Sequence, residues 1–243
     1  MSTLEQRYHA VQQRIDKACE QAGRSRQQVA LLAVSKTKPA SMVRQCYQLG
    51  QRAFGENYLQ DALDKIDALA DLDDIEWHFI GHLQSNKSRT VAERFQWLET
   101  LDRLKLARRL SDQRPEGMAP LQVLLQVNIS EEAQKSGVLP SQVPELAAQV
   151  AELPRLTVRG LMCIPEATDD EQLLSQQFDR MQQLLESLRV DHPQADTLSM
   201  GMSGDLELAI AHGSHQVRVG TDIFGARDQP ASVSVVADAG PDT

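Results

Sequence analysis

Eight short apolar runs, each but the last followed by a segment with helical spacing, restrict the fold of this chain more than any other feature. The runs at 29–37, 52–57, 76–81, 95–101, 120–128, 156–165, 197–201 and 216–225 read as strands. The segments at 40–49, 58–70, 84–94, 102–112, 141–152, 170–189 and 204–212 read as the intervening helices. The longest of these carries Leu174, Phe178, Met181, Leu185 and Leu188 on one face. Continuous apolar strands alternating with amphipathic helices imply a parallel sheet covered by helices. Eight such units in about 200 residues fit an α/β fold, a compact (β/α)8 TIM-type barrel. A doubly wound open sheet is the main rival, but no GxGxxG follows the first strand. Before the alternation, Leu4, Tyr8, Val11, Ile15 and Ala18 make one apolar face of an extra N-terminal helix over 3–22, which Gly23 can end. That helix is expected to cover one end or side of the barrel.

Composition narrows the function classes. The chain has 243 residues, 41% of them hydrophobic but only 4% aromatic, so its core must be mostly Leu, Val, Ile and Ala. Thirty-four acidic against 25 basic residues leave a net charge of −9, which argues against broad nucleic-acid binding. Cys19, Cys46 and Cys163 are odd in number and form no CxxC pair, so a disulfide framework or structural zinc is not expected and a reducing, cytoplasmic setting fits. The N-terminus lacks a basic start followed by an apolar segment, and no apolar run approaches the ~20 residues of a membrane span. The stretch 228–243 has small residues and little periodicity, and reads as a mobile tail after a barrel domain over 1–227.

The first strand runs into "SKTKP", which places Lys36 at a strand's C-terminal end, where βα barrels carry their active groups. A surface lysine with its stem over apolar neighbours is the plain reading. A desolvated amine, with Lys38 adding like-charge repulsion, would instead be poised to attack a carbonyl. Barrels often hold phosphorylated ligands in the loops after strands 7 and 8. Here those loops carry Ser203 and Gly204 in "SMGMSGDLELAIAHG" and Gly220 and Thr221 in "VRVGTDIFG". The same residues would also serve as ordinary structure, with Ser203 an N-cap, Asp205 in the first turn and the glycines as turn residues. Both loops together with the lysine favour a phosphorylated carbonyl ligand, a description that pyridoxal 5′-phosphate matches.

The segments "LLAVSKTKP", "FGENYLQ", "WHFIGHLQSNK", "KSG", "GLMCI", "LSMGMSGDLELAI" and "VRVGTDIFG" occur in order over roughly residues 5–227. Together they resemble the pyridoxal phosphate homeostasis protein family, which is related to the N-terminal barrel domain of alanine racemase. The resemblance implies a cofactor-binding set: Lys36 as the Schiff-base lysine, Ser203, Gly204, Gly220 and Thr221 on the phosphate, and Arg218 facing the pyridine nitrogen. Asn57 would line the ring pocket and Met200 would pack nearby. An always-charged arginine at the ring nitrogen disfavours a proton there, so the ring stabilises a carbanion poorly. The implied role is therefore a monomeric carrier or buffer in intracellular pyridoxal phosphate homeostasis, with no catalytic residue, no metal and, as transient partners, apo forms of pyridoxal-phosphate enzymes. The alternative is a racemase-like enzyme. Against it, the chain ends about 18 residues after the last strand, leaving no expected second domain to supply an opposing tyrosine, and only Tyr58 falls near the barrel mouth. A barrel binding some other phosphorylated metabolite without a Schiff base is a third reading.

Other candidates are weaker. His78 and His82 are four apart, but one sits in a strand and one in a loop, and the Glu of HExxH is absent, so metal binding is not expected. His82 follows the third strand and is a candidate to line the pocket. The run 103–109, "RLKLARR", reads as a solvated helix face. Lys135, after strand 5, is either a second amine at the barrel mouth or a surface lysine.

Overall fold

The apolar runs pair with one another only in parallel, and the sheet they build has no edge. In the computed structural model, which describes residues 2–226, eight strands close into a barrel in chain order. They are β1 (Ala30–Val34), β2 (Ala53–Glu56), β3 (Glu76–Phe79), β4 (Trp97–Leu101), β5 (Leu121–Val127), β6 (Leu156–Cys163), β7 (Thr197–Ser199) and β8 (Gln216–Val219). Pairing of β1 with β8, from Ala30 opposite Gln216 to Ala33 opposite Val219, closes the ring. The expected tail over 228–243 lies outside the described residues.

Helices fill the connections: α1 (Leu4–Gln21) before the barrel, then α2 (Ala40–Gln48), α3 (Leu59–Ala68), α4 (Ser88–Arg94), α5 (Leu104–Gln113), α6 (Val143–Ala151), α7 (Glu171–Asp191), α8 (Leu206–Ala211) and α9 (Thr221–Phe224). Their apolar stripes cover the outer faces of the strands. On α7, Phe178, Met181 and Leu185 are buried almost completely, and each such side chain contributes about 2 kcal/mol of hydrophobic stabilisation. No described helix is long and apolar enough to cross a membrane.

Helix α1 is set by its own local signals. Thr3 and Gln6 form a reciprocal cap, Gln6 N–H donating to Thr3 Oγ1 at 3.2 Å and Thr3 N–H to Gln6 Oε1 at 2.9 Å. Gly23, at φ +65°, turns the chain out of the helix and donates its N–H to Glu20 O. The apolar face lies along the side of the barrel, against α2, α8 and α9.

Several boundaries differ from the sequence expectation. The first strand stops at Val34, so Lys36 stands in a turn beyond it. The last strand ends at Val219 instead of running to 225. Gly220 breaks it, and Thr221–Phe224 winds into one helical turn, with Ile223 and Phe224 N–H groups donating to Gly220 O. The helix expected over 204–212 begins at Leu206, with Asp205 in the N-cap position in place of Ser203. The reason is local: Asp205 Oδ1 accepts the Met202 N–H at 2.6 Å, which holds Ser203 and Gly204 in a tight turn.

One glycine is indispensable to closure. Opposite β5 the register of β6 slips by one residue, so that Val158 faces Val123 but Gly160 faces Leu124. Gly160 sits at φ +142°, and a Cβ there would lie 1.8 Å from Thr197 O in β7. We expect Gly160→Ala to lower stability by on the order of 3 kcal/mol, read as a fall in the urea midpoint. A midpoint equal to wild type would show that the bulge is not strained against β7.

Candidate functional site

The barrel interior is polar along one line, and that line sets the floor of the site. Glu99 of β4 is fully buried. Its Oε1 accepts from His78 Nδ1 of β3 and from Gln216 Nε2 of β8, each at 2.7 Å, and its Oε2 accepts from Ser199 Oγ of β7 at 2.8 Å. Strands β4 and β8 stand four apart in the ring, so these bonds cross the lumen. Ser199 Oγ in turn accepts from Arg218 Nη1 at 2.8 Å, while Arg218 Nη2 donates to Cys163 O at 2.9 Å. At the other end His78 stacks on Trp97, ring centroids 5.0 Å apart, with its Nε2 4.0 Å from Glu76 Oε2.

Charge in this line is balanced. Burial pushes the Glu99 carboxyl up, but the hydrogen bond and charge of His78, with Arg218 and Ser199, bring it below its ordinary 4.5. Burial likewise opposes a charged His78, but Glu76 and Glu99 outweigh it and raise the ring above its ordinary 6.5.

Above this floor, at the C-terminal ends of the strands, lies a cavity of about 400 Å³. Lys36, Asn57 and Arg218 line it, as do Ser203, Gly204, Gly220 and Thr221. Apolar walls come from Val34, Ile80, Met162 and Met202. Met200 is fully buried in the core and is not a lining residue; its neighbour Met202 takes that place. His82 is exposed and outside the lining, and Tyr58 is exposed at the rim of β2. Lys135 pairs with Glu132 Oε1 at 2.6 Å. His78 belongs to the barrel interior, and among the described residues no group of three His, Cys, Asp or Glu side chains is placed to hold a metal.

The turn that carries Lys36 is held on both sides. Ser35 Oγ donates to Glu56 Oε1 at 2.6 Å, and Lys65 Nζ of α3 donates to Ser35 O and to Glu56 Oε1, each at 2.7 Å. Thr37, at φ +62°, donates its N–H to Asp61 Oδ2 at 2.8 Å, and Asp61 also accepts from Lys65 at 2.9 Å. A left-handed threonine costs free energy, and this buried ion cluster offsets it. Lys38, two residues on, is buried and donates its Nζ to Ala226 O.

Asn57 is seated by a missing side chain. A Cβ on Gly81 would lie 2.1 Å from Asn57 O, so only glycine lets the chain leaving β3 pass against the chain leaving β2. Thr100 Oγ1 donates to Gly81 O at 2.7 Å and fixes that crossing. The side-chain Oδ1 of Asn57 is buried with no partner among the described residues, while its residue borders the cavity.

Glu99, His78, Ser199, Lys65, Glu56 and Asp61 were not singled out for the site by sequence reasoning. Asp61 and Lys65, four apart on a helix, gave a weak signal. For Glu99 a charged residue within an apolar strand run was the available clue.

Comparisons with known proteins bear on the family and the fold. The family model described as alanine racemase, N-terminal domain, matches residues 7–228. The pyridoxal phosphate homeostasis protein of Pseudomonas aeruginosa is 53% identical over 234 residues, covering 96% of this chain and 100% of that one. That of Escherichia coli K12 is 53% identical over 223 residues, covering 90% and 94%. Among solved structures, PipY of Synechococcus elongatus with PLP bound superposes with a TM-score of 0.75 at 34% identity, over 87% of this chain and 100% of that chain. Alanine racemase of Corynebacterium glutamicum, at 16% identity and a TM-score of 0.66 over 92% of this chain and 62% of that one, shares the fold.

The buried line has a pH signature. A raised histidine pKa means that the stabilisation from His78 is complete below pH 6.5 and is lost as pH rises through the folded value, provided Glu99 is ionised, above about pH 4.5. We expect the stability advantage of wild type over His78→Gln to be larger near about pH 6 than near about pH 9. Urea midpoints across that range measure it; an advantage that does not change with pH would show no shift of the ring on folding, and one that grows toward about pH 9 would show the ring neutral in the folded protein.

Proposed function

The chain belongs to the alanine racemase N-terminal domain family and to the pyridoxal phosphate homeostasis proteins, and from that premise we propose that it holds pyridoxal 5′-phosphate as a Schiff base on Lys36 and serves as a carrier and buffer of that cofactor. The observation that carries the reading is one cavity into which the Lys36 turn, the two loops bearing Ser203, Gly204, Gly220 and Thr221, and the Arg218 side chain all converge. The fit is chemical as well as spatial. An amine shares the lining with small residues suited to an anion, apolar walls suit a flat ring, and Asn57 Oδ1, without a partner among the described residues, leaves a polar group for the ligand to meet.

When bound, the cofactor supplies an aldehyde that can be held reversibly and an electron-withdrawing ring. Lys36 would hold that aldehyde, binding with loss of one water and releasing with its return. Ser203, Gly204, Gly220 and Thr221 anchor the phosphate. Arg218, fixed by Ser199 and Cys163 O, would face the ring nitrogen with an always-charged guanidinium that does not give up a proton to it. That arrangement supports retention of the aldehyde and works against carbanion chemistry, so strong catalysis is not part of the reading. The barrel closes its own sheet and exposes no strand edge, which supports a monomer. The three cysteines are buried free thiols, which suits a reducing cytoplasm. Apo forms of pyridoxal-phosphate enzymes are the proposed transient recipients.

The test is the visible absorption spectrum before and after borohydride, with mass spectrometry of the Lys36 peptide. We expect a yellow band that bleaches and a reduced pyridoxyl adduct on Lys36, both absent from Lys36→Ala. A protein that stays colourless with added cofactor would overturn the reading. Rapid solvent deuterium exchange at Cα of added amino acids would replace the carrier with a racemase-like enzyme.

A further inference from the structure

Helix α1 stands outside the βα alternation, yet its Arg14 side chain reaches the segments that follow both β7 and β8. Arg14 Nε and Nη2 grip Glu207 of α8 as a fork, at 2.8 and 2.9 Å. Nη2 also donates to Ser203 O at 2.9 Å, and Nη1 donates to Asp222 Oδ2 of α9 at 2.7 Å. A single planar guanidinium therefore ties together the segment after β7 and the segment after β8. Arg14 itself does not line the cavity. We propose that Arg14 is a positioning residue for phosphate: it holds the two loops at the spacing one phosphate group can bridge. This inference rests on the cofactor reading above.

Two physical effects support it. The first is orientation. All described peptide bonds are trans, so the carbonyl of Ser203 and the N–H of Gly204 point in opposite directions. With the Ser203 carbonyl drawn to Arg14 outside the cavity, the Gly204 N–H is turned away from Arg14. Ser203 and Gly204 border the cavity on that turn. The second is charge. Asp222 directly follows Thr221, and Glu207 lies in the first turn of α8. Two carboxylates so close to the loops would repel a phosphate dianion, and Arg14 pairs with both through short charge-assisted bonds, its single positive charge offsetting one of their two negative charges. A lysine could supply the charge but not the fork, since an ammonium is a point charge without planar, bidentate geometry.

The decisive comparison is between pyridoxal 5′-phosphate and unphosphorylated pyridoxal, which share the aldehyde and ring. Equilibrium titration of wild type should show a wide margin in favour of the phosphorylated aldehyde. In Arg14→Ala that margin should shrink by about tenfold or more, with pyridoxal affinity unchanged within about twofold. Competition by inorganic phosphate should weaken in parallel. Arg14→Lys, which keeps the charge and disturbs packing less, should lose about threefold of the margin, and it carries the test if Arg14→Ala melts below the working temperature. Equal loss for both aldehydes would reduce Arg14 to a structural clamp and overturn the proposal, as would an unchanged margin. A wild type that binds both aldehydes equally, or neither, would overturn the cofactor reading itself, which separates the two failures.

Discussion

A carboxylate buried in the middle of a barrel is the constraint to which the site answers. Glu99 has no access to water, and an isolated charge there would be intolerable. It persists because three strands send donors to it: His78 from β3, Ser199 from β7 and Gln216 from β8. Removing one partner from such a set costs about 3–5 kcal/mol, because it leaves charge uncompensated. The consequence for function lies one bond further on. Ser199, its own proton committed to Glu99, can only accept from Arg218, and Arg218 is thereby fixed at the cavity with its charge intact.

A second ionic cluster holds the turn after β1, the strand next to β8 in the ring. Lys65, Glu56 and Asp61 engage Ser35 and Thr37 and leave Lys36 between two pinned residues. Burial raises the Glu56 carboxyl, although Lys65 and Ser35 pull it down. Both clusters follow the same logic. The group that faces the ligand is held by buried partners that do not themselves line the cavity, so the cost of ordering it is met during folding and not during binding. The glycines complement this. Gly81 and Gly160 allow backbone approaches that any side chain would block, and those approaches place Asn57 beside the cavity and let β6 meet β7.

Much of the architecture was legible in the sequence. The apolar stripe of α7 and the apolar face and glycine stop of α1 are local signals, and the structure uses them as the sequence suggests. The strand ends were not legible in the same way. "VALLAVSKT" reads as one run to residue 37, but β1 stops at Val34, where pairing with β2 and β8 ends. "QVRVGTDIFG" reads as one strand, but beyond Gly220 the chain has no neighbour to pair with and winds into a turn of helix. The Asp205 side chain claimed the Met202 N–H and moved the start of α8 past Ser203. For the site, Lys36 and the small residues of the last two loops follow from their position after strands. Arg218 and Asn57 came from resemblance, since spacing alone assigns them nothing. Met200 shows the limit of that transfer, because the core takes it and Met202 faces the cavity.

The sequence by itself determined the number and order of the βα units, the faces that α1 and α7 bury and the end of the barrel at which Lys36 and the small residues of the last two loops lie. These follow from periodicity and from the direction of parallel strands, both properties of short segments. Only the tertiary structure decided which distant side chains meet: Glu99 with Gln216 across the lumen, and Arg14 with Glu207 and Asp222 across the outside. Such pairs are separated by more than a hundred residues, and closure of the ring is what brings them within hydrogen-bonding distance. Hydrogen bonds act over about 3 Å, so no local pattern in the chain can encode them before the barrel exists.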